Sequence, residues 1–185
     1  MCGALLVEME KRMIRDLNFE SERLVTARLQ DDDADTLFQF YSDCEAMKYR
    51  GSQPMASIAD GMEMVANQFS IEKQVSKLRL GIRTKTTNDL VGTLLLKRET
   101  NSPRRIEVGF SFGKQHWGLG YGQETLRMVE EGITAFVEVD ELEAWCIKDN
   151  IASIRIFEKA GFIEFEQALV PQSIWFRKQL VKSDS

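Results

Sequence analysis

The sequence is poor in the residues that build metal centres. Its 185 residues include three cysteines, far apart at Cys2, Cys44 and Cys146, and one histidine, His116. No two cysteines form a C-x-x-C pair, so a Cys/His metal site is not expected. Sparse, unpaired cysteines are typical of a reducing compartment. We therefore expect a cytoplasmic protein without a bound metal.

Long apolar runs and an excess of positive charge are also missing. No apolar run reaches the roughly 18 residues that a transmembrane helix needs, and the apolar start at residues 1–7 has no basic leader, so we expect neither a membrane span nor a signal peptide. The formal net charge of −5 disfavours nucleic-acid and anionic-membrane partners, because both require a basic surface. Glycine and proline, with 12 and 3 residues, are too few for a low-complexity chain.

The pattern of apolar and turn residues predicts a single α/β (α+β) domain over residues 20–182, after an extension over residues 1–19 that could form a helix. A strand at 24–29 precedes two expected helices. The first runs from the acidic residues 31–33 to about Met47, and the second follows Ser57. Its apolar stripe, interpreted as core, consists of Ile58, Met62, Val65 and Phe69.

The second half of the chain alternates strands and helices. Turn residues at 86–89 predict a hairpin of the strands 78–83 and 90–96. The later elements are a strand at 106–112, a helix from about Tyr121, a strand at 142–147, a helix at 151–159, and strands at about 162–169 and 174–180. This order predicts a mixed sheet of about seven strands with helices on both faces.

The chemically informative stretch is residues 117–126, where Gly118, Gly120 and Gly122 alternate directly before an amphipathic helix. Glycine permits positive φ and a close approach of the backbone to a ligand. The first turn of a helix offers unpaired N–H groups at its positive dipole end. Together these features predict an anion site suited to phosphate, although a tight strand-to-helix turn alone would have the same signature.

Common nucleotide-binding patterns fit this loop poorly. The dinucleotide fingerprint needs a glycine where Gln123 stands, and it places its glycines directly at the strand end, whereas residues 113–117 intervene here. The Gly-Lys-Ser/Thr of a P-loop is absent. A nucleotide-dependent oxidoreductase is therefore only an alternative interpretation.

The stretch from Trp117 to Leu126 resembles the acetyl-CoA pyrophosphate loop of the GNAT N-acetyltransferases, closest to the branch of the ribosomal-protein N-terminal acetyltransferases. Four further segments agree with that branch in order, at residues 21–29, 90–93, 106–110 and 150–162. The resemblance implies a GNAT-like sheet that splays between the strands at 106–112 and 142–147. It also implies acetyl-CoA as the cosubstrate.

Two registers of the family's Gln/Arg-x-x-Gly-x-Gly/Ala pattern fit the loop. One uses Gln115, Gly118 and Gly120, and the other uses Trp117, Gly120 and Gly122. We adopt the second, because it places residues 124–126 where the branch's helix begins. The resemblance then implies that the loop binds the pyrophosphate, through Trp117, Gly118, Gly120, Gly122 and Gln123.

By the same resemblance, backbone groups of Phe110 and Phe112 bind the pantetheine arm like an added strand. The side-chain amide of Asn150 would reach this arm as well. Capping of the following helix explains an asparagine at position 150 equally well.

Acetyl transfer to an amine needs a group that accepts the amine's proton and a group that protonates the leaving thiolate. The candidate base is Glu107, although an ordinary polar strand residue is the other interpretation. Many relatives use a tyrosine of the closing helix as the acid, but Phe157 stands there. Ser153 resembles the serine proposed for this role in the branch, although an ordinary residue of the helix's first turn is the other interpretation. His116 is interpreted as loop packing and Cys146 as a core thiol.

The sequence thus predicts an acetyl-CoA-dependent N-acetyltransferase that acts by direct attack of a primary amine, on a small molecule or a protein N-terminus. A non-catalytic acyl-CoA-binding protein is the alternative, because Phe157 replaces the family's tyrosine. We expect no nucleic acid or membrane partner, and a monomer or homodimer. The acceptor-side helices at 31–73 carry no motif that identifies the amine.

Overall fold

The computed structural model describes residues 17–50, 52–72, 75–99, 101–136, 138–166 and 171–180. In chain order the helices and strands are β1 (Leu24–Ala27), α1 (Ala34–Ser42), α2 (Cys44–Met47), α3 (Ile58–Ala66), β2 (Phe69–Glu72), β3 (Val75–Thr84), β4 (Leu90–Glu99), β5 (Arg105–Phe112), α4 (Tyr121–Phe136), β6 (Glu141–Ile147), α5 (Ile151–Lys159), β7 (Ile163–Phe165) and β8 (Ser173–Gln179).

Within the described residues, eight strands form one sheet in the order β1-β3-β4-β5-β6-β8-β7, and β2 also pairs with β3. Every pairing is antiparallel except that of β5 with β6. The predicted mixed sheet with helices on both faces is confirmed. The strand that sequence patterning missed is β2.

The long β3–β4 hairpin is the centre of the sheet, and its turn is the predicted one. Asn88 adopts φ 61°, a left-handed conformation that asparagine tolerates better than most residues. Along β3 the side chains alternate, so Leu78, Leu80 and Ile82 are buried while Lys77 and Arg79 on the other face are half-buried. The two faces of the sheet therefore differ in polarity.

Helices α4 and α5 cover the apolar face. Leu126, Val129 and Ile133 of α4 are fully buried, as their helical spacing predicts, and they join Leu80 and Leu142 of the sheet in the main core. Helix α5 ends as predicted, since Gly161 adopts φ +80° just beyond it. Helices α1 to α3 build a second, smaller core on the opposite face.

The first predicted helix is interrupted. Asp43 has extended backbone angles and caps α2 by accepting a hydrogen bond from the Ala46 N–H, so α1 ends at Ser42. The acidic residues before α1 also do more than cap a helix. Asp33 is buried and both of its carboxylate oxygens accept hydrogen bonds from Arg83 at 2.6 Å, a pairing that neutralises a charge inside the fold.

The second predicted helix is shorter than expected. Three of the four apolar residues predicted to form its buried stripe do not do so. Helix α3 ends at Ala66, because the Gln68 side chain donates to the Leu29 carbonyl and accepts from the Leu29 N–H, which directs the chain into β2. Phe69 is therefore a strand residue. Ile58 and Met62, expected in the core, are 42% and 59% exposed.

The predicted N-terminal helix falls in the extension over residues 1–19, of which residues 1–16 lie outside the described residues. Leu17 and Phe19 are buried in the main core, so this end of the extension packs against the domain. The division at residues 19 and 20 stays a prediction. In the part of the chain that the structure describes, no helix is both long and apolar enough to span a bilayer.

The glycines of two neighbouring strands test how tightly the sheet is packed. A Cβ on Gly92 would lie 2.6 Å from Phe112 Cδ1 and would also meet the Ser111 carbonyl, whereas a Cβ on Gly109 would lie 3.9 Å from its nearest neighbour. We expect Gly92→Ala to lower the free energy of unfolding by about 1–3 kcal/mol and Gly109→Ala to leave it nearly unchanged, in urea titrations. Equal stability of both variants would contradict the packing described here.

Candidate active site

A gap opens in the sheet between β5 and β6. These strands pair only at Arg105 with Glu141, Ile106 with Leu142, and Glu107 with Glu143. Beyond that point β5 remains paired to β4 as far as Phe112, and β6 remains paired to β8 as far as Ile147. The predicted splay is therefore confirmed, and the facing edges of the two strands lack each other as partners from residues 108 and 144 onward.

The edge of β5 directs backbone groups into this gap. The Gly113 N–H donates to the Val91 carbonyl at 3.1 Å and so points toward β4. Peptide groups alternate sides along a strand, and the N–H and C=O of one trans peptide point in opposite directions. The N–H and C=O of Phe110 and Phe112 therefore point toward the gap, where the sequence analysis expects them to bind a ligand.

The glycine loop closes the open end of the gap. Gly118 and Gly120 have φ of +76° and +81°, the left-handed region that favours glycine, whereas Gly122 lies within α4. Among the described residues, the backbone N–H groups of residues 118–123 find no hydrogen-bond acceptor. Such a run of free N–H groups at the positive end of a helix of 16 residues is suited to an anion.

Gly122 has a different role from the other two glycines. Its Cβ would lie 2.9 Å from Ile156 Cδ1 and 3.1 Å from Phe110 Cε2, so glycine here allows α4 to approach both α5 and β5. The loop is also held to the strand by Trp117, whose indole Nε1 donates to the Phe112 carbonyl at 3.1 Å. The choice of pattern register stays a prediction, since both registers include a left-handed glycine.

An ion pair that sequence reasoning missed fixes the start of α4. Glu124 accepts hydrogen bonds from the Ser21 hydroxyl at 2.7 Å, from the Arg23 N–H at 3.0 Å and from Arg23 Nε at 2.7 Å. The guanidinium of Arg23 also lies 4.9 Å from the ring centroid of Tyr121 and near Gly120. The segment directly before β1 therefore anchors the glycine loop.

The start of α5 borders the gap from the side of β6. Asn150 caps this helix, because its Oδ1 accepts a hydrogen bond from the Ser153 N–H at 3.1 Å, which leaves its amide Nδ2 as the group that could face a ligand. Phe157 is buried, with ring centroids 5.9 Å from Phe110 and 5.2 Å from Phe176. No hydrogen bond between described residues joins Ser153 to Glu107.

Glu107 lies on the polar face where the pairing of β5 and β6 ends. Its Oε1 accepts hydrogen bonds from Lys97 Nζ at 2.6 Å and from Trp145 Nε1 at 3.0 Å. Cross-strand register places these partners beside it, since Lys97 pairs with Glu107 on β4, and Trp145 lies two residues beyond its partner on β6. Two donors thus fix the orientation of this half-buried carboxylate.

A cavity of about 100 Å³ opens beside Glu107, with Glu143, Arg105 and Trp175 in its lining. Burial raises the pKa of Glu143, Arg105 lowers it, and Glu141 raises it again, so the pKa lies above its ordinary value. The cavity therefore combines a fixed carboxylate with a second one that retains its proton more readily.

His116 and Cys146 were not expected to be catalytic, and the structure shows neither in a catalytic arrangement among the described residues. His116 packs edge-on against Phe40, with ring centroids 6.0 Å apart, as the interpretation of loop packing predicts. Burial raises the pKa of the Cys146 thiol to about 11, so this group is a poor nucleophile near neutral pH. Among the described residues, no cluster of His, Cys, Asp or Glu could hold a metal ion.

Comparisons with known proteins agree with this geometry. The family described as "Acetyltransferase (GNAT) domain" matches residues 23–163. The N-acetyltransferase p20 of Bacillus licheniformis, itself uncharacterized, is 29% identical over 157 residues, which cover 80% of this chain and 86% of that protein.

Solved structures share the fold. A GNAT-family acetyltransferase from Bacillus anthracis superposes with a TM-score of 0.74 at 18% identity, over 88% of this chain and 98% of that one. A spermidine N-acetyltransferase from Vibrio cholerae, solved with CoA and spermine, superposes with a TM-score of 0.67 at 14% identity, over 86% of this chain and 97% of that one.

The ion pair of Glu124 makes a testable contribution to stability. Burial raises the pKa of Glu124, but hydrogen bonds from Ser21 and Arg23 outweigh burial, so the pKa lies below its ordinary value of 4.5. A depressed carboxylate pKa stabilises the fold above the unfolded pKa, and this stabilisation disappears as the pH falls through the folded pKa.

We expect Glu124→Gln to lower the free energy of unfolding by about 1 kcal/mol at pH 7. The difference from the wild type should shrink as the pH falls below 4.5, in urea titrations at several pH values. Glu131→Gln, at an exposed position of the same helix, is the matched control and should show no such trend. A difference that persists unchanged at low pH would contradict the assignment.

Proposed function

The chain belongs to the GNAT acetyltransferase family, and from this premise we propose that the β5–β6 gap and the glycine loop hold its acetyl-CoA. The protein is an acetyl-CoA-dependent N-acetyltransferase, which transfers an acetyl group to an amine. The observation that carries the proposal is a line of backbone groups without a main-chain partner among the described residues. It runs from the edge of β5, where the Phe112 carbonyl accepts from the Trp117 indole, to the N–H groups of residues 118–123.

The two ends of the cosubstrate have different requirements. The pyrophosphate needs N–H donors, which the loop from Trp117 to Gln123 offers, and positive φ at Gly118 and Gly120 keeps side chains away from it. The pantetheine arm carries amide groups and can pair with an open strand edge. Phe110 and Phe112 supply that edge on β5, and we assign to the Asn150 amide, at the N-cap of α5, a contact with the arm from the other side.

In this orientation the thioester lies near the end of β5–β6 pairing, next to Glu107. The nitrogen of a neutral amine attacks the thioester carbonyl carbon, and the C–S bond breaks as the N–C bond forms. Glu107 accepts the proton that the amine nitrogen loses, directly or through one water. Lys97 and Trp145 both bind Oε1, so Oε2 is the oxygen that takes the proton.

The leaving thiolate also needs a proton. We assign this role to the Ser153 hydroxyl in the first turn of α5, because Phe157 has no proton to give and is buried in the core. The raised pKa of Cys146 favours direct attack over an acetylated cysteine. Membership of the GNAT family favours acetyl transfer over the alternative of a nucleotide-dependent oxidoreductase.

The cysteines and the net charge also indicate where the protein works and which partners it has. We propose a cytoplasmic enzyme, because Cys44 and Cys146 are free thiols. It acts as a monomer or homodimer on a small-molecule amine or a protein N-terminus, and the negative net charge favours neither nucleic acid nor membrane as a partner.

The loop assignment predicts the effect of a side chain at position 120. Gly120→Val places a branched side chain against the pyrophosphate, so acetyl-CoA should no longer raise the melting temperature as it does in the wild type. Binding is measured by thermal shift and by calorimetric titration.

Gly161→Val is the matched control for backbone strain, because Gly161 has nearly the same φ of +80° and lies beyond α5, outside the loop. Both variants should lose stability, but the control should still bind acetyl-CoA. Normal binding by a folded Gly120→Val protein would show that the loop is not the phosphate site.

The base assignment predicts a loss of turnover. Glu107→Gln keeps an acceptor oxygen for Lys97 and Trp145 but removes the base, so kcat should fall by roughly 10²–10⁴-fold while acetyl-CoA affinity changes little. Raising the pH should recover part of the rate, because it supplies neutral amine.

The exposed residue Glu131 again gives the control, since Glu131→Gln removes the same charge far from the gap. Wild-type turnover in Glu107→Gln at neutral pH would remove Glu107 from the mechanism. A wild-type protein that binds acetyl-CoA but transfers acetyl to no amine would instead support the non-catalytic alternative.

A further inference from the structure

Two arginine side chains flank the ring of Tyr41, which extends from α1 over the polar face of the sheet. The guanidinium carbon of Arg50 lies 4.1 Å from the ring centroid, and that of Arg79 lies 6.0 Å from it. Arg79 Nη1 donates to the phenol oxygen at 3.1 Å and to Thr93 Oγ1 at 3.2 Å. The hydroxyls of Tyr41 and Thr93 are hydrogen-bonded at 2.6 Å. We call these four residues the Tyr41 cluster.

The Tyr41 cluster has an excess of positive charge. Within the described residues, neither Arg50 nor Arg79 forms an ion pair, and the charged neighbours that act on Arg50 are Tyr41 and Arg79. A neutral phenol leaves both positive charges uncompensated, and even a phenolate would leave one. Unpaired charge in a half-buried site is costly, so the site favours an anion.

The pKa shifts of two members of the Tyr41 cluster are consistent with its excess of positive charge. Burial lowers the pKa of Arg50, Tyr41 raises it and Arg79 lowers it again, and the net direction is down. Burial raises the pKa of Tyr41, but Arg79 and Arg50 outweigh burial and lower it. The shift of Tyr41 is that of a group held in a positive local field, whereas the shift of Arg50 is caused mainly by burial.

Two polar atoms, one within the Tyr41 cluster and one next to it, lack a hydrogen bond of good geometry to the described residues. Arg50 Nη1 and Ser111 Oγ are buried, and neither completes a hydrogen bond with good geometry to any described residue. Ser111 is close enough to the phenol to help lower the pKa of Tyr41. An N–H donor and an O–H donor are therefore both available around one phenol ring, which is the donor set that a carboxylate accepts from.

The cluster lies on the same sheet face as the proposed base. Ser111 pairs with Thr93 across β4 and β5, and it is on the same face as Gly109 and Glu107. Residues two apart on a strand are separated by about 7 Å, so Glu107 and Ser111 lie about 7 Å on either side of Gly109 along β5. Gly109 has no side chain, which leaves room between them for a small acceptor.

We propose that the acceptor is an amine that also carries a carboxylate, and that Arg50 and Ser111 bind this carboxylate while the amine faces Glu107. Arg79 and Tyr41 hold the positive field and the position of Arg50. This inference rests on the proposed function of the gap as the site of acetyl transfer. It narrows the acceptor from any primary amine to amino acids and related amino carboxylic acids.

The test compares acceptors that differ only in the carboxylate. L-amino acids, β-alanine and 4-aminobutyrate are each assayed with acetyl-CoA beside their carboxamides, and spermidine serves as an amine without a carboxylate. For the best acid, kcat/KM should exceed that of its carboxamide by roughly 10- to 100-fold, as expected for a charged hydrogen-bonded contact.

Substitution of Arg50 should remove this preference. Arg50→Gln should raise KM for the acid by roughly the same 10- to 100-fold and leave kcat/KM for the carboxamide within about threefold. Arg50→Lys keeps the charge and should retain part of the preference.

Arg127→Gln, at an exposed position on α4, is the matched control and should behave as the wild type. Arg50→Gln also removes the contact with the Tyr41 ring, so its melting temperature is measured beside its kinetics. A loss confined to the acid acceptor, with carboxamide activity kept, separates ligand binding from a structural role.

The outcomes separate this inference from the proposed function. Equal activity on acids and carboxamides, or transfer to spermidine alone, would overturn the inference and leave the acetyltransferase site intact. The inference would also fail if Arg50→Gln lost activity equally on both acceptors and lost stability. Binding of acetyl-CoA without transfer to any acceptor would overturn both proposals.

Discussion

The candidate site depends on one interruption of main-chain hydrogen bonding, the end of pairing between β5 and β6 after Glu107 and Glu143. Each strand keeps its other partner, β4 for β5 and β8 for β6, so the interruption opens a gap without dissolving the sheet. Backbone groups that lose a partner need another one. A flexible chain with amide groups, bound along the gap, satisfies them with the geometry of an added strand.

The same sheet separates two environments. Ile106 and Val108 point to the apolar core under α4 and α5, whereas Glu107 between them points to the opposite, polar face. On that face, one charged side chain has a partner of opposite charge and two others have none among the described residues. Glu107 is balanced by Lys97, while Arg50 and Arg79 share one phenol and no carboxylate among the described residues. A balanced charge orients a group for chemistry, and an unbalanced one favours a charged ligand.

Local signals predicted much of the fold, because they depend on neighbouring residues. The Asn150 cap and Gly161 mark the ends of α5, and the left-handed φ of Gly118 and Gly120 follows from their place before α4. What failed depended on distant residues. The Gln68 contact with Leu29 ends α3 early, and the Lys97 and Trp145 partners of Glu107 come from strand register. Helical spacing puts Tyr41 one turn after Leu37 on the buried side of α1, but it carries no information about the arginines around its ring.

The anchoring of the glycine loop by Arg23 has a consequence for how the protein is made. Arg23 and Glu124 are 101 residues apart in sequence, so the loop acquires its support only after most of the domain has left the ribosome. Closing a contact of such high sequence separation costs more chain entropy than a local one. A nascent chain that has not yet reached Glu124 therefore lacks this support of the glycine loop.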